Sequence, residues 1–326
     1  MRNGAIYNGF RFTGELAHRM RLTFLGTGAG RPSKARNVTA IALSVAEPTN
    51  GFWLFDVGEA TQHRLMASTL KLNKLDKIFI THMHGDHLYG LPGLLSSRTY
   101  FEGAGKLQLY GPPGIQAFVE CVFGYSGAHL NYELEIIEIG EGVLFENSKY
   151  RVTCAELTHR VPCFGYRIVE QPQPGALDLQ KLIQLGVPLG PLYGKLKRGE
   201  DITLPSGQSI RSIDVVGPSA VGRVVTILGD TSPSEKSVAL AEDADVLVHE
   251  ATFATGMEDK AAAYGHSTFA QAAQIAVKAK AKRLVLTHFS SRYDAEDVAS
   301  MVEEVKSAFG NTEAAHDDWT IDIPRP

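Results

Sequence analysis

The segment Thr81-His82-Met83-His84-Gly85-Asp86-His87 places three imidazoles and a carboxylate within six positions, directly after the apolar run Ile78-Phe79-Ile80. A chain that carries it has to end a buried strand in a metal-binding turn. In extended backbone, side chains two apart point to the same side, so His82 and His84 face one ion. A turn at Gly85 followed by a helix swings Asp86 and His87 toward a second ion beside the first. Structural zinc sites close their tetrahedron with four ligands, often thiolates, whereas this set offers only nitrogen and oxygen and leaves a position for water. Without a cation, crowding these polar rings together would be costly.

A two-metal site needs about three further ligands, one of them a carboxylate able to bridge. His159, Asp230 and His288 each follow a strand-like run, Val152–Thr158, Val224–Gly229 and Leu284–Thr287. The assignment that results gives His82, His84 and His159 to one ion and Asp86, His87 and His288 to the other, with Asp230 bridging. Coordination lowers the pKa of a bound water from about 15.7 to about 7, which makes a nucleophile at neutral pH. Two Zn2+ ions suit the mixed imidazole and carboxylate set, with manganese or iron as the other candidates. His266, in Tyr264-Gly265-His266-Ser267-Thr268, stands at an expected helix start that Ser267 or Thr268 would cap. It is not needed as a ligand, so it is free to protonate a leaving group. His249 and its neighbour Glu250 are placed to orient a ligand from behind.

Around these positions short apolar runs alternate with amphipathic ones. Strands are expected at 21–26, 38–45, 51–56, 77–81, 106–110, 150–156, 164–169, 224–229, 245–249 and 283–287. Helices are expected at 59–70, 87–98, 113–123, 234–241, 267–280 and 294–308. Each metal-type residue falls where a run ends, the habit of sites built on strand-end loops. Residues 1–20 read as an N-terminal extension outside the fold, 21–310 as the main domain and 311–326 as a tail. Residues 170–220 break the rhythm with six prolines and the basic run Lys195-Leu196-Lys197-Arg198, which suits an insertion standing off the body at about 170–206.

The net charge of −4 argues against a surface coated in basic residues, yet phosphate contacts need only a few well-placed Lys or Arg. No apolar run approaches the roughly 18 residues of a membrane span and the first 20 lack a signal-peptide core, so a cytoplasmic location is the default expectation. Cys121, Cys154 and Cys163 are odd in number and widely spaced, which suggests small apolar fillers rather than disulfides or thiolate ligands.

The seven ligand residues together resemble the metallo-β-lactamase superfamily, and four further features are similar to the ribonuclease Z family within it. Pro32-Ser33-Lys34-Ala35-Arg36-Asn37 resembles a Pro-x-Lys-x-Arg-Asn loop, which implies that Lys34, Arg36 and Asn37 lie near the 3′ end of a tRNA. His249-Glu250-Ala251-Thr252 and His266-Ser267-Thr268 match two more family motifs and imply a catalytic role for His266. Thr287-His288-Phe289-Ser290-Ser291-Arg292-Tyr293 looks like the last-ligand segment, with Ser290 and Arg292 as phosphate contacts. The insertion is similar to a flexible arm that grips tRNA, which implies RNA contacts at Gly190, Pro191, Lys195, Lys197 and Arg198.

The resemblance implies an α/β fold, an αββα sandwich of two mixed sheets with outer helices. It implies a zinc-dependent endoribonuclease, two ions per subunit, that cuts pre-tRNA after the discriminator base and leaves a 3′-hydroxyl. Asp86 would serve as ligand and general base, and the protein would be a homodimer. The alternative is a broader phosphodiesterase or a hydrolase of small thioesters, which would have no evident use for the arm.

Overall fold

The computed structural model describes residues 20–45 and 51–325. The expected extension at 1–19 lies outside them, while Met20 opens the first strand. The first half of the chain contributes β1 (Met20–Gly26), β2 (Gly28–Ala29), β3 (Ala40–Ser44), β4 (Phe52–Phe55), β5 (Leu75–Phe79), β6 (Leu107–Gly111) and β7 (Leu134–Glu138). Next come β8 (Gly142–Glu146), β9 (Tyr150–Glu156), β10 (Phe164–Glu170), β11 (Ile202–Thr203) and β12 (Ser209–Ile210). The chain closes with β13 (Val224–Ile227), β14 (Val246–Glu250), β15 (Leu284–Thr287), β16 (Phe289–Ser290), β17 (Thr312–Ala314) and β18 (Trp319–Ile323).

Two seven-stranded sheets have the orders β18-β1-β3-β4-β5-β6-β7 and β17-β15-β14-β13-β10-β9-β8. Both follow one plan. In the first, antiparallel pairing from β18 to β4 gives way to parallel pairing from β4 to β7. In the second, antiparallel pairing from β8 to β13 gives way to parallel pairing from β13 to β17.

The central strands β4, β14 and β15 are buried along their whole length, because both their faces are covered. Side chains alternate along the strands: Trp53, Phe55 and Phe79 meet Tyr150, Tyr166, Ile227 and Val285 of the other sheet. Leu54, Ile78 and Ile80 face outward onto the helices Leu91–Arg98 and Ile115–Ser126. Leu247, Leu284 and Leu286 face the helices Phe269–Lys278 and Ala295–Lys306 on the opposite side. The result is the expected αββα sandwich. Its central layer is aromatic, with Phe79 stacked between Phe55 at 4.9 Å and Tyr110 at 5.0 Å. Among the described residues no helix is long and apolar enough to cross a membrane.

Three expectations change. Residues 311–325 are no tail: β17 extends the second sheet beside β15 and β18 extends the first beside β1. Trp319 stacks on Phe24, and Arg325 donates to Glu170, which also holds the buried Arg223. Polar residues between Trp319, Ile321 and Ile323 hide this edge strand, since only alternate side chains are covered. The insertion runs on to about 222 rather than 206, because Ile210 and Val215 complete an apolar cluster with Leu182, Val187, Leu196, Ile202 and Leu204. Its two ends meet at the Gln173–Ala220 bridge. Finally, Cys121 is exposed and no core filler, whereas Cys154 and Cys163 are buried.

Where the two sheets meet beneath the 81–87 segment, the Tyr166 hydroxyl donates to the Ile80 carbonyl at 2.5 Å. Tyr166→Phe leaves that buried acceptor without its partner and is expected to destabilise the fold by about 1–3 kcal/mol. A urea titration with an unaltered midpoint would show that this bond holds nothing.

Candidate metal centre

The site lies where parallel strands end, so its side chains come from loops that the sheets hold rigidly. β5 delivers Thr81 and His82; His84 then stands before the short helix Gly85–Leu88, which carries Asp86 and His87. Glycine lets the Tyr89 ring pack over the turn, since a Cβ at Gly85 would lie 2.3 Å from that ring and displace it. His159 follows β9, Asp230 follows β13 and His288 follows β15. Two non-glycine residues at these strand ends, Asp56 after β4 and His288, have φ of 58° and 59°. Such left-handed backbone is unfavourable for branched or bulky residues and persists only where surrounding contacts hold it.

The seven residues assigned as ligands come together. His82, His84 and His159 form one group, Asp86, His87 and His288 another. Within them, inward nitrogens approach at 3.0 Å (His82 Nε2 to His84 Nδ1), 3.3 Å (His159 Nε2 to His84 Nδ1) and 3.2 Å (His87 Nε2 to His288 Nε2). Tetrahedral ligands at zinc–nitrogen distances of about 2.0–2.1 Å stand about 3.3 Å apart, so the spacing fits a divalent ion. Asp230 is buried between the groups, its Oδ2 3.7 Å from His82, 3.5 Å from His87 and 3.4 Å from His288.

The outward ring nitrogens are spoken for, which fixes the tautomers. His87 Nδ1 donates to Asp56 Oδ2 at 2.7 Å, and His82 Nδ1 donates to the Thr81 hydroxyl, which in turn donates to the same carboxylate. His159 Nδ1 donates to the Gly265 carbonyl at 2.7 Å. His288 Nδ1 donates to the Thr252 hydroxyl, whose proton goes to Glu250 Oε2. Each of these four rings therefore commits its outward nitrogen to the protein and leaves the inward one as the candidate metal ligand.

Electrostatics follow from the burial. Desolvation pushes His82, His84 and His159 below the ordinary imidazole range. Burial opposes a charge on His87 too, but Asp230 and Asp56 outweigh it and hold its pKa well above the ordinary value. Burial likewise opposes ionisation of Asp230, yet the charges of His288 and His87 keep its carboxyl well below the usual carboxylate range. Asp86 is lowered in the same way, against burial, by its bond to His288 and the charge of His87. The centre is thus a pit of negative charge lined by nitrogen donors, suited to a divalent cation.

His266 sits at the rim, between the helix Glu258–Tyr264 and the Thr268-capped helix Phe269–Lys278. Its Nδ1 donates to Glu250 Oε1 at 3.0 Å and lies 3.8 Å from Asp230. Burial opposes its charge, but the bond to Glu250 and that carboxylate's charge dominate, and its pKa is pushed up to about 9. A histidine in that state is a proton donor at neutral pH.

Known proteins resemble this chain in sequence and in fold. The family model described as Anti-Pycsar protein Apyc1 matches residues 20–159. Ribonuclease Z of Bacillus licheniformis is 51% identical over 94% of this chain and 100% of its own length. The chain belongs to the ribonuclease Z family. Ribonuclease Z of Bacillus thuringiensis is likewise 51% identical over 94% of this chain and all of its own. Human tRNase Z, short form, superposes with a TM-score of 0.68 at 32% identity, covering 94% of this chain and 100% of that one.

Within this ribonuclease Z site, several side chains depart from their expected places. Arg36 is turned inward: its Nη1 donates to the Thr27 hydroxyl at 2.9 Å and the Ala315 carbonyl at 3.0 Å, and the guanidinium covers Phe289 at 4.7 Å. Asn37 donates its amide to the Glu59 carbonyl and its backbone N–H to Asp317. Both brace the 30–37 loop, and of the three expected RNA contacts there only Lys34 is exposed. The same loop reaches the metal centre through Gly30, whose N–H donates to Asp86 Oδ2 at 2.7 Å. Ser290 is half-buried in β16, while Arg292 is exposed. Lys195, Lys197 and Arg198 are exposed on and just after the helix Pro191–Lys197, with Gly190 at its start. Arg198 pairs with Glu200 at 2.8 Å. Glu250 supports the site as expected, but His249 is buried with Nδ1 on the Glu250 carbonyl and Nε2 without a partner, and no hydrogen bond joins it to a ligand.

Asp56 and Thr252 escaped the sequence reading. Asp56 follows the apolar run Phe52–Phe55, the same strand-end context that marked the ligands, and that signal was there to use. Cys163, buried 3.6 Å from His82 Nδ1, was likewise read only as packing. In Asp56→Asn the amide NH2 confronts either the His87 N–H and the Thr81 hydroxyl or, turned over, the Thr81 backbone N–H. Divalent-metal affinity is expected to fall about 10–100-fold. A competitive chelator titration reads this out, and equal affinities would remove Asp56 from the site.

Proposed function

We propose that this centre holds two Zn2+ ions and is the place where a pre-tRNA is cut after its discriminator base. The reading rests on one observation above others: two three-ligand groups converge on Asp230, with His266 poised beside them by Glu250. Membership in the ribonuclease Z family makes the chain a metal-dependent endoribonuclease of tRNA 3′ processing. Bound divalent ions polarise the scissile phosphate and lower the pKa of the attacking water.

The side chains divide the remaining work. Asp86, ligand and general base, is held by the Gly30 N–H and accepts the proton of the attacking water. His266 gives its proton to the departing ribose 3′ oxygen, so the tRNA leaves with a 3′-hydroxyl and the trailer with a 5′-phosphate. Lys34 and Arg292 meet backbone phosphates near the cut, Ser290 adds a hydroxyl, and Arg36 and Asn37 act by bracing the loop. Away from the cut, Lys195, Lys197 and Arg198 on the insertion grip the tRNA body, with Gly190 and Pro191 shaping the turn that presents them. Such contacts read backbone and shape more than base edges. Positive charge is thereby confined to where phosphates arrive, which reconciles RNA binding with a net charge of −4. The enzyme acts in the cytoplasm as a homodimer, with one subunit's arm holding tRNA at its partner's site.

A 3′-extended pre-tRNA incubated with the protein should be cut after the discriminator, with cleavage lost to a chelator and restored by Zn2+. Mapping the product end checks this, and an uncut precursor would reopen the small-ester reading.

A chain lacking residues 174–219 should still turn over a small phosphodiester but lose about tenfold or more on pre-tRNA, because its phosphate contacts are gone. Mixing it with an arm-bearing Asp86→Ala chain should restore pre-tRNA cleavage. Failure to restore it would refute the shared arm.

A further inference from the structure

Beside His266 lies a set of rings and cations that the ligand scheme does not use. Tyr264 ends the helix Glu258–Tyr264 and Gly265 caps it with a φ of 75°. The Gly265 carbonyl holds the metal ligand His159, and a Cβ at Gly265 would come within 2.8 Å of His159 Nδ1. Tyr264 and His266 are therefore set at a fixed distance from the metal centre by a residue that only glycine can be. Beneath, Phe253 is buried and touches both, its ring 6.2 Å from Tyr264 in a near-parallel stack and 6.0 Å from His266. Tyr264 remains 49% exposed. Exposed guanidiniums lie over the two rings: Arg160 over Tyr264, 6.0 Å from its centroid, and Arg292 over Phe253, 5.5 Å from its centroid.

An exposed ring supported by a second ring and flanked by two cations is how proteins hold an unpaired nucleotide, with the base on the ring and the phosphates on the guanidiniums. Which nucleotide it takes follows from the chemistry of the cut, so the inference rests on the proposed function. His266 protonates the 3′ oxygen that leaves, and that oxygen belongs to the nucleotide on the tRNA side. The base of this nucleotide, attached to the ribose that His266 touches, is the one within reach of Tyr264. We propose that Tyr264, with Arg160 and Arg292, forms the stacking platform for the discriminator base. Because every base has a π-face, the platform accepts whichever base occupies that position. It holds the ribose 3′ oxygen against His266, and contributes to cleavage by orientation rather than by proton transfer.

The experiment pairs a protein change with an RNA change. Wild type, Tyr264→Phe and Tyr264→Ala are compared under single turnover on a pre-tRNA with its normal discriminator and on one with an abasic residue there. Tyr264→Phe should cleave as wild type does. Tyr264→Ala should be slower by about tenfold or more on the normal substrate, the usual effect of removing one base–aromatic stack. On the abasic substrate wild type and Tyr264→Ala should be equally slow. Equal losses on both substrates, or none on either, would overturn the proposal. Bound metal and the unfolding midpoint establish that each variant is folded, and Tyr264→Leu, of similar bulk without a π-face, replaces any that is not. If wild type leaves the normal pre-tRNA uncut, the proposed function has failed and not the platform.

Discussion

Four imidazoles of this protein are each held by a hydrogen bond at the outward nitrogen, and the rest of the site depends on that constraint. A buried ring with a free outward nitrogen could rotate or change tautomer. Here Asp56 prevents it for His87 and, through Thr81, for His82, Glu250 prevents it for His288 through Thr252, and the Gly265 carbonyl holds His159. Both carboxylates are buried and accept several hydrogen bonds each, so their charge is stabilised where an unpaired one would be expelled. The metal centre is thus built outward from two acidic hubs that do not themselves face the metal.

The sandwich supplies the rigidity those hubs need. The ligand-bearing loops leave strands whose faces are both buried, and the Tyr166–Ile80 bond ties the two sheets just before His82. The two sheets share one plan of antiparallel and parallel halves, and each contributes one hub: Asp56 after β4 and Glu250 at the end of β14. His288 and Asp56 adopt left-handed backbone because the packed sheets and the hydrogen bonds leave them no alternative. Proximity between groups from opposite ends of the chain is what the fold contributes to catalysis.

The rim differs from the centre in kind. Lys34, Arg160, Arg292 and the insertion's basic residues Lys195, Lys197 and Arg198 are exposed, as befits groups that meet a mobile, hydrated backbone. Arg36 shows how a motif can mislead about such a surface. Its charge and its place in a loop near the site both suggested phosphate, yet it bonds Thr27 and Ala315 and covers Phe289. Its partner Ala315 lies in a segment whose own role was hidden, so nothing local could have revealed the bond.

The candidate ligands were legible in the sequence, because metal chemistry is written in side-chain type and strand-end position. His82, His84, Asp86 and His87 are neighbours in the chain: period-two geometry directs the first pair, and the turn and helix at Gly85 direct the second. His159, Asp230 and His288 declared themselves by following apolar runs. The strands of the core were legible for the same reason, since a doubly buried strand must be apolar throughout. What only the tertiary structure decided are relations between distant residues: Asp56 under His87, Thr252 behind His288, Asp317 holding Asn37, and β18 closing the first sheet against β1. Such pairings are set by which surfaces the sheets bring together, and a hydrogen bond across 31, 36 or 280 residues leaves no periodic trace in the chain that makes it.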